Sequence, residues 1–213
     1  MMCDPPRTRP ASCPAKSRCW LAIVAAVAVV LSGCATSTDD DEARGESSEA
    51  ISNATCEASK SEGAVSSFQK ALHDTIAFAE GTRGKGAHDG YDVGFAYKNF
   101  KSCARHPNVK TCSGKLCSTA SGRYQFLKRT WDGTVKGAKL TSFEPDQQEL
   151  GARYLVTKVR KVTIPERTLT ATEFSNAMKK LSYEWASLPP GRYGQPNRSE
   201  AALRRDYCVS LGC

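Results

Sequence analysis

The chain has 213 residues, enough for one ordinary domain with tails but hardly for two. Its hydrophobic fraction of 40% suits a soluble core, and its formal charge of +8 calls for an anionic partner: nucleic acid, anionic lipid or cell wall. The charge is uneven, because Asp39, Asp40, Asp41, Glu42, Glu46 and Glu49 stand against Arg44 alone, so most of the positive charge lies after residue 60. A basic surface with no chosen partner has the same composition, and the compartment has to decide between these readings.

The N-terminus speaks to compartment. Arg7, Arg9, Lys16 and Arg18 precede an unbroken apolar run, Trp20 to Leu31, that is shorter than the roughly 20 residues of a spanning helix. A positive flank, a short apolar core and small residues after it describe an export signal. Leu31-Ser32-Gly33-Cys34 resembles the lipobox of bacterial lipoproteins, in which Cys34 is acylated and becomes the new N-terminus. Ala35 after it resembles lipoproteins sent to an outer membrane, so the expected location is the periplasmic face of that membrane. The other reading is an ordinary secretory signal with a chance cysteine. Residues 1–33 are thus expected to be a lipoprotein signal peptide. Residues 34–63, rich in Ser, Thr, Asp, Glu and Ala, form a flexible acidic tether with too little apolar area to order itself. Residues 64–213 form the domain.

Ten cysteines are encoded. Cys3, Cys13 and Cys19 leave with the signal and Cys34 takes lipid. Cys56, Cys103, Cys112, Cys117, Cys208 and Cys213 remain, an even set that suits disulfides in an oxidising compartment. Six cysteines allow 15 pairings, so connectivity stays open. Cys112-x4-Cys117 near His106 is also a possible zinc fragment, but no second His stands at ligand spacing, and no metal or cofactor is expected.

In the domain, Val65, Phe68, Leu72, Ile76 and Ala79 recur at helical spacing, with Ser66 or Ser67 as cap and Gly81 as stop. Residues 84–120 read as loop, with a short strand or hairpin in Gly94 to Phe100. A second helix is predicted from Tyr124 to Val135. A third runs from Pro145 to Val159 with Leu150, Tyr154, Leu155 and Val159 on one face. A fourth runs from Ala171 to Trp185, stopped by Pro189 and Pro190, and a last short one spans Ser199 to Tyr207. The fold class is α+β and mostly helical, with a loop-built wall.

Glu80 ends an apolar helix. The negative end of the helix dipole disfavours its charge, and Ile76, Phe78 and Ala79 partly desolvate it, so its pKa should rise. A carboxyl kept protonated near neutral pH is what a general acid needs. An exposed Glu in a helix-end turn has the same local spacing. The wider sequence separates the two. Ala77-Phe78-Ala79-Glu80-Gly81-Thr82 is followed by Gly90-Tyr91-Asp92-Val93, then by Ser118 to Leu127 (STASGRYQFL) and Trp131-Asp132. Phe143-Glu144-Pro145-Asp146-Gln147-Gln148, Trp185-Ala186-Ser187-Leu188-Pro189 and Tyr193-Gly194-Gln195 come after. In order and spacing, from about Phe68 to about Pro196, these resemble the phage lambda endolysin family of lytic transglycosylases, members of the lysozyme superfamily.

That resemblance implies a lysozyme-like domain whose substrate cleft lies between a helical lobe and a loop and short-hairpin lobe. It implies cleavage of the MurNAc-GlcNAc β-1,4 bond of peptidoglycan with a 1,6-anhydro end, and Glu80 as sole acid/base. It puts Asp92 on the cleft lining, Gly122-Arg123-Tyr124-Gln125 on the cleft floor with Gln125 facing sugar, Trp185 and Ser187 on the wall opposite Glu80, and Tyr193 against a sugar. His106-Pro107 falls in a mobile loop over the groove, which Cys103, Cys112 and Cys117 would stiffen if bridged there. Typical glycosidases need two carboxylates, whereas a transglycosylase needs one, so the role of Asp92 is decisive. As a substrate-binding residue Asp92 bonds amide or hydroxyl groups of the glycan; if it positions water instead the enzyme is a muramidase, and as a turn residue after Gly90-Tyr91 it has no chemical role. Phe126 and Trp131 read as core rather than sugar platforms. Lys98 to Arg105 and Arg153 to Lys161 are candidates to meet the anionic wall. A non-catalytic wall-binding lipoprotein is the alternative from another class, though the presence of Glu80 weighs against it. Nucleic acid is not an expected partner, since an exported chain rarely meets a duplex. The expected state is a monomer.

Overall fold

The computed structural model describes Cys56, residues 65–194 and residues 196–213. Every described residue lies in the unit Gly45–Cys213. The expected signal peptide, Cys34 and all of the expected tether but Cys56 lie outside the described residues. Among the described residues no helix is long and apolar enough to cross a membrane.

Helix α1 spans Ser67–Glu80, where the sequence predicts it. The Ser66 side chain caps it by accepting the Gln69 N–H at 3.3 Å, and Gly81 ends it in the left-handed conformation at φ 75°. The expected short hairpin is β1 (Val93–Gly94) paired antiparallel with β2 (Lys98–Asn99) across a single 3-10 turn, Phe95–Tyr97. A second hairpin, β3 (Thr111–Ser113) with β4 (Leu116–Ser118), occupies the stretch read as loop. Cys112 faces Cys117 across it and the two are bonded, which rules out the zinc reading.

Helix α2 runs Lys128–Ala138 rather than from Tyr124. Ser121 and Phe126 exchange two backbone hydrogen bonds (3.0 and 2.8 Å) and close a tight turn that holds Gly122 at φ 78° and Gln125 at φ 46°, conformations no helix accepts. Helix α3, Pro145–Tyr154, continues as a π turn over Leu155–Val159, with Pro145 in its first turn as predicted. Half of its predicted face holds: Leu155 is buried and Tyr154 packs partly buried on the core, but Leu150 and Val159 are exposed, while Pro145, Gln148, Gly151 and Ala152 face inward. The polar partners of Gln148 and Glu149 set that rotation. Helix α4, Ala171–Leu181, opens on a capping box between Thr170 and Glu173 and stops four residues before the predicted Trp185. Helix α5, Glu200–Leu211, is longer than predicted and packs along α1.

The core joins Leu72 and Ile76 of α1 to Phe174, Met178 and Leu181 of α4 and to Leu203 and Tyr207 of α5. Beside them Phe126, Trp131 and Phe143 cluster, with Trp131 edge to face on Phe143 at 4.7 Å and tilted against Phe126 at 4.9 Å. Phe126 and Trp131 are core, as expected.

The cysteines correct the sequence reading twice. Cys56, assigned to the tether, is buried and bonded to Cys103, so the folded unit reaches back beyond residue 64. Cys208 and Cys213 are both free. They flank the α5 cap, where Gly212 turns left-handed and the Cys213 N–H donates to the Cys208 carbonyl at 3.0 Å. The Cys56–Cys103 bond closes a loop of 47 residues. On chain-entropy grounds it stabilises the fold by about 4 kcal/mol. Cys56→Ala should therefore lower the stability measured by urea unfolding by several kcal/mol, whereas Cys112→Ala, which opens only the short hairpin, should cost less.

Candidate active site

Glu80 is placed by the end of α1. Past the left-handed Gly81, the Thr82 N–H donates to the Ala77 carbonyl (3.0 Å), and the Thr82 hydroxyl reaches the Arg123 carbonyl. This ties the end of the helix to the turn Gly122–Gln125. From the opposite side the α4–α5 connection brings Ser187, whose hydroxyl donates to Glu80 Oε1 at 2.5 Å. Trp185, two residues earlier, is buried and donates its indole N–H to the Tyr124 carbonyl at 2.9 Å. Glu80 thus sits, partly exposed, between two loops that are hydrogen-bonded to each other. Burial raises its pKa from 4.5 to about 7, the Ser187 side-chain and backbone hydrogen bonds opposing but not cancelling the rise. The direction is the one expected from sequence.

The turn Gly122–Gln125 rests on buried polar groups. Glu149 of α3 accepts the Tyr91 hydroxyl (2.5 Å) and the Tyr124 hydroxyl on Oε1, and the His73 Nδ1–H (2.7 Å) on Oε2. Burial pushes the Glu149 carboxyl up, but the hydrogen bond and charge of His73 and the two tyrosine hydroxyls outweigh it and leave it at about 2. Arg123 lies buried over the Tyr91 ring, bonded to Asp74 at 2.7 Å and paired with Asp89. Gln148 completes the frame: its Oε1 accepts the Arg123 N–H at 2.9 Å while its amide donates to the Tyr91 and Phe143 carbonyls. A Cβ on Gly122 would stand 2.1 Å from that Oε1, so only glycine fits there.

The residues singled out in the sequence divide between surface and support. Glu80 and Ser187 meet directly. Gln125 is partly exposed, its amide donating at 3.0 Å to the Val93 and Gly122 carbonyls. Tyr193 is exposed and donates to the Tyr183 carbonyl at 3.1 Å. Tyr124 and Trp185 are buried; they hold the floor and wall from behind instead of facing a ligand. Asp92, expected on the cleft lining, is only 5% exposed. Its Oδ2 accepts the Ala87 N–H at 3.3 Å, and Oδ1 is sealed against Gly86 without a partner. His106, expected in a mobile loop, is buried against Phe143, with Nε2 on the Phe126 carbonyl (2.8 Å) and Nδ1 accepting the Asn108 N–H. Its burial lowers its pKa. Glu149, Asp74 and Thr82 escape the sequence reading, because a carboxylate or hydroxyl reads as surface until its partners are known.

A family model described as Endolysin matches residues 70–213. The chain belongs to the endolysin family. The endolysin of Escherichia phage lambda is 34% identical to it over 135 residues, covering 62% of this chain and 83% of the phage protein. The lysozyme of bacteriophage lambda, solved as a complex with a chitohexasaccharide, superposes with a TM-score of 0.63 at 31% identity over 70% of this chain and 96% of that one. A second structure of the lambda lysozyme gives 0.60 at 30% identity, covering 69% and 96%. The fold of this endolysin is therefore the lysozyme-like α+β arrangement, and the protein is a lysozyme-like glycosidase acting on peptidoglycan. The family match runs on through α5, beyond the last motif legible in the sequence.

Two substitutions check the site. Glu149→Ala leaves His73 and two buried tyrosine hydroxyls without their acceptor, and should cost roughly 3–5 kcal/mol of stability in denaturant unfolding. Ser187→Ala removes a donor that favours ionised Glu80, so the Glu80 pKa should rise further. If Glu80 acts as a general acid, its protonated form is the active one, and the alkaline limb of the pH profile of kcat/KM should move to higher pH.

Proposed function

We propose that this endolysin is a lytic transglycosylase that cleaves the MurNAc-GlcNAc β-1,4 bond of peptidoglycan with Glu80 as its only acid and base. The supporting observation is the contrast between two carboxylates. Glu80 opens between the two loops with a pKa of about 7, while Asp92 is sealed and engaged with the Ala87 N–H. A hydrolase needs a second group to hold water, and the residue expected to supply one is turned away.

In the proposed reaction the Glu80 carboxyl gives its proton to the bridging oxygen as the bond from that oxygen to the muramoyl C1 breaks. The C6 hydroxyl of the same sugar forms a new bond to C1, and the Glu80 carboxylate takes the hydroxyl proton. A 1,6-anhydro ring forms, Glu80 returns to its starting state and water is not consumed. The internal nucleophile acts at high effective concentration, which offsets the missing base. Ser187, on Glu80 Oε1, steadies the carboxylate between the two proton transfers. Gln125 and Tyr193 contact the glycan, and Tyr124 and Trp185 support the surface from below. The sugar hexamer bound by the lambda lysozyme supports a glycan strand as the ligand. The exposed Lys98, Lys101 and Arg105 meet the anionic wall, whereas Arg160 is occupied by Glu184. The enzyme acts outside the cytoplasm, at the periplasmic face of an outer membrane, anchored through lipidated Cys34.

Glu80→Gln should lower activity on purified sacculi by about 10²–10⁴-fold. The linkage sign gives a second readout. A carboxyl raised to about 7 in the fold supports stability at low pH and loses that support as pH climbs from 4.5 through 7. The amide carries no such penalty, so Glu80→Gln should be more stable than the parent at pH 8, by up to about 3 kcal/mol. Mass spectrometry of the parent's products should find anhydro-muramoyl ends; reducing ends would instead mean hydrolysis by water.

A further inference from the structure

We propose that Tyr97 is a sugar-binding platform at the Glu80 end of the cleft, with its ring lying against a pyranose of the glycan strand; the inference rests on the glycan reading above. Tyr97 is the last residue of the 3-10 turn between β1 and β2. The turn is anchored beside the site, since the Phe95 N–H donates to the Ala120 carbonyl at 2.8 Å, Gly94 bridges to Ser121, and the Gln125 amide holds the Val93 carbonyl. From there the side chain folds back on the helix end. The Tyr97 hydroxyl lies 2.9 Å from where a Cβ on Gly81 would stand, which puts the end of the side chain beside the residue that follows Glu80.

Two further observations set this residue apart. Ala96 (φ 56°) and Tyr97 (φ 59°) stand in succession in the left-handed region, which bulky side chains rarely enter. The hydrogen bonds on either side of the turn hold that strain in place. Tyr97 is 63% exposed, so its ring is not core, and no hydrogen bond to its hydroxyl is found among the described residues. Backbone strain held in place by its surroundings concentrates where a side chain must be presented to a ligand. An exposed aromatic ring beside the catalytic acid matches the apolar face of a pyranose, and aromatic side chains commonly line ligand clefts.

The test uses the full chain carrying Glu80→Gln, titrated with chitohexasaccharide by calorimetry. Adding Tyr97→Gly should weaken binding roughly tenfold, the scale of one aromatic contact. Tyr97→Phe should keep the affinity, because the ring rather than the hydroxyl makes the contact. Ala96→Gly relieves the same backbone strain without touching the ring, and should leave affinity unchanged. Both glycine variants should raise Tm by about 2–4 °C. Affinity within twofold of the parent in Tyr97→Gly would overturn the proposal. So would a fall in Tm alongside the loss of affinity, because that assigns the ring a structural role. If the Glu80→Gln chain itself binds no hexasaccharide, the glycan reading fails first and the platform with it.

Discussion

A single half-buried carboxylate, Glu149, holds this site together. Its two oxygens accept one histidine N–H and two tyrosine hydroxyls, so three side chains from α1, from the turn before β1 and from the cleft floor converge on one point. Fixing the Tyr124 ring fixes its carbonyl, which takes the indole N–H of Trp185. Trp185 sets the turn that carries Ser187, and Ser187 reaches Glu80. A group on α3 therefore governs the position of Glu80 without touching it. Buried polar networks carry such weight only when their members are satisfied, and this one leaves just the His73 Nε2 and Arg123 Nε without partners.

The same architecture explains why Glu80 is strained electrostatically while Glu149 is not. Both are carboxylates taken out of water. Glu149 is surrounded by donors and stays ionised. Glu80 has Ser187 alone, and desolvation wins. The protein accepts a destabilising charge above neutral pH at one position, which suits the proposed chemistry, since that requires a proton near pH 7. At the hairpin tip it accepts backbone strain in Ala96 and Tyr97 beside the same residue. Both penalties cluster around the end of α1, and the helix and its α5 partner supply the rigidity that sustains them.

Much of this was legible in the residues, and each failure has a physical cause. The α1 limits follow from Ser66, a run of apolar residues at helical spacing, and Gly81. Glu80 stands out because it ends that run. The α2 start was missed because the Ser121–Phe126 turn depends on left-handed Gly122 and Gln125, and nothing local to Gln125 announces a positive φ. The α3 face was rotated because hydrophobic periodicity favours Leu150, whereas Gln148 and Glu149 turn inward to partners from distant parts of the chain. Asp92 looked like a cleft acid in its motif, yet its carboxylate is spent on the Ala87 N–H. Cys56 looked like tether because its neighbours are polar, and its partner lies 47 residues away.

The sequence by itself determined the fold class, the family and the helix limits set by caps and glycines, and it singled out Glu80 as the candidate acid, because each depends on local spacing or on motifs in order. The tertiary structure alone decided which side chains face the cleft and which hold it from behind, which cysteines pair, and how far the Glu80 carboxyl is pushed from its ordinary pKa. Those properties depend on burial and on partners that are remote along the chain. No local pattern encodes them until the chain has closed on itself.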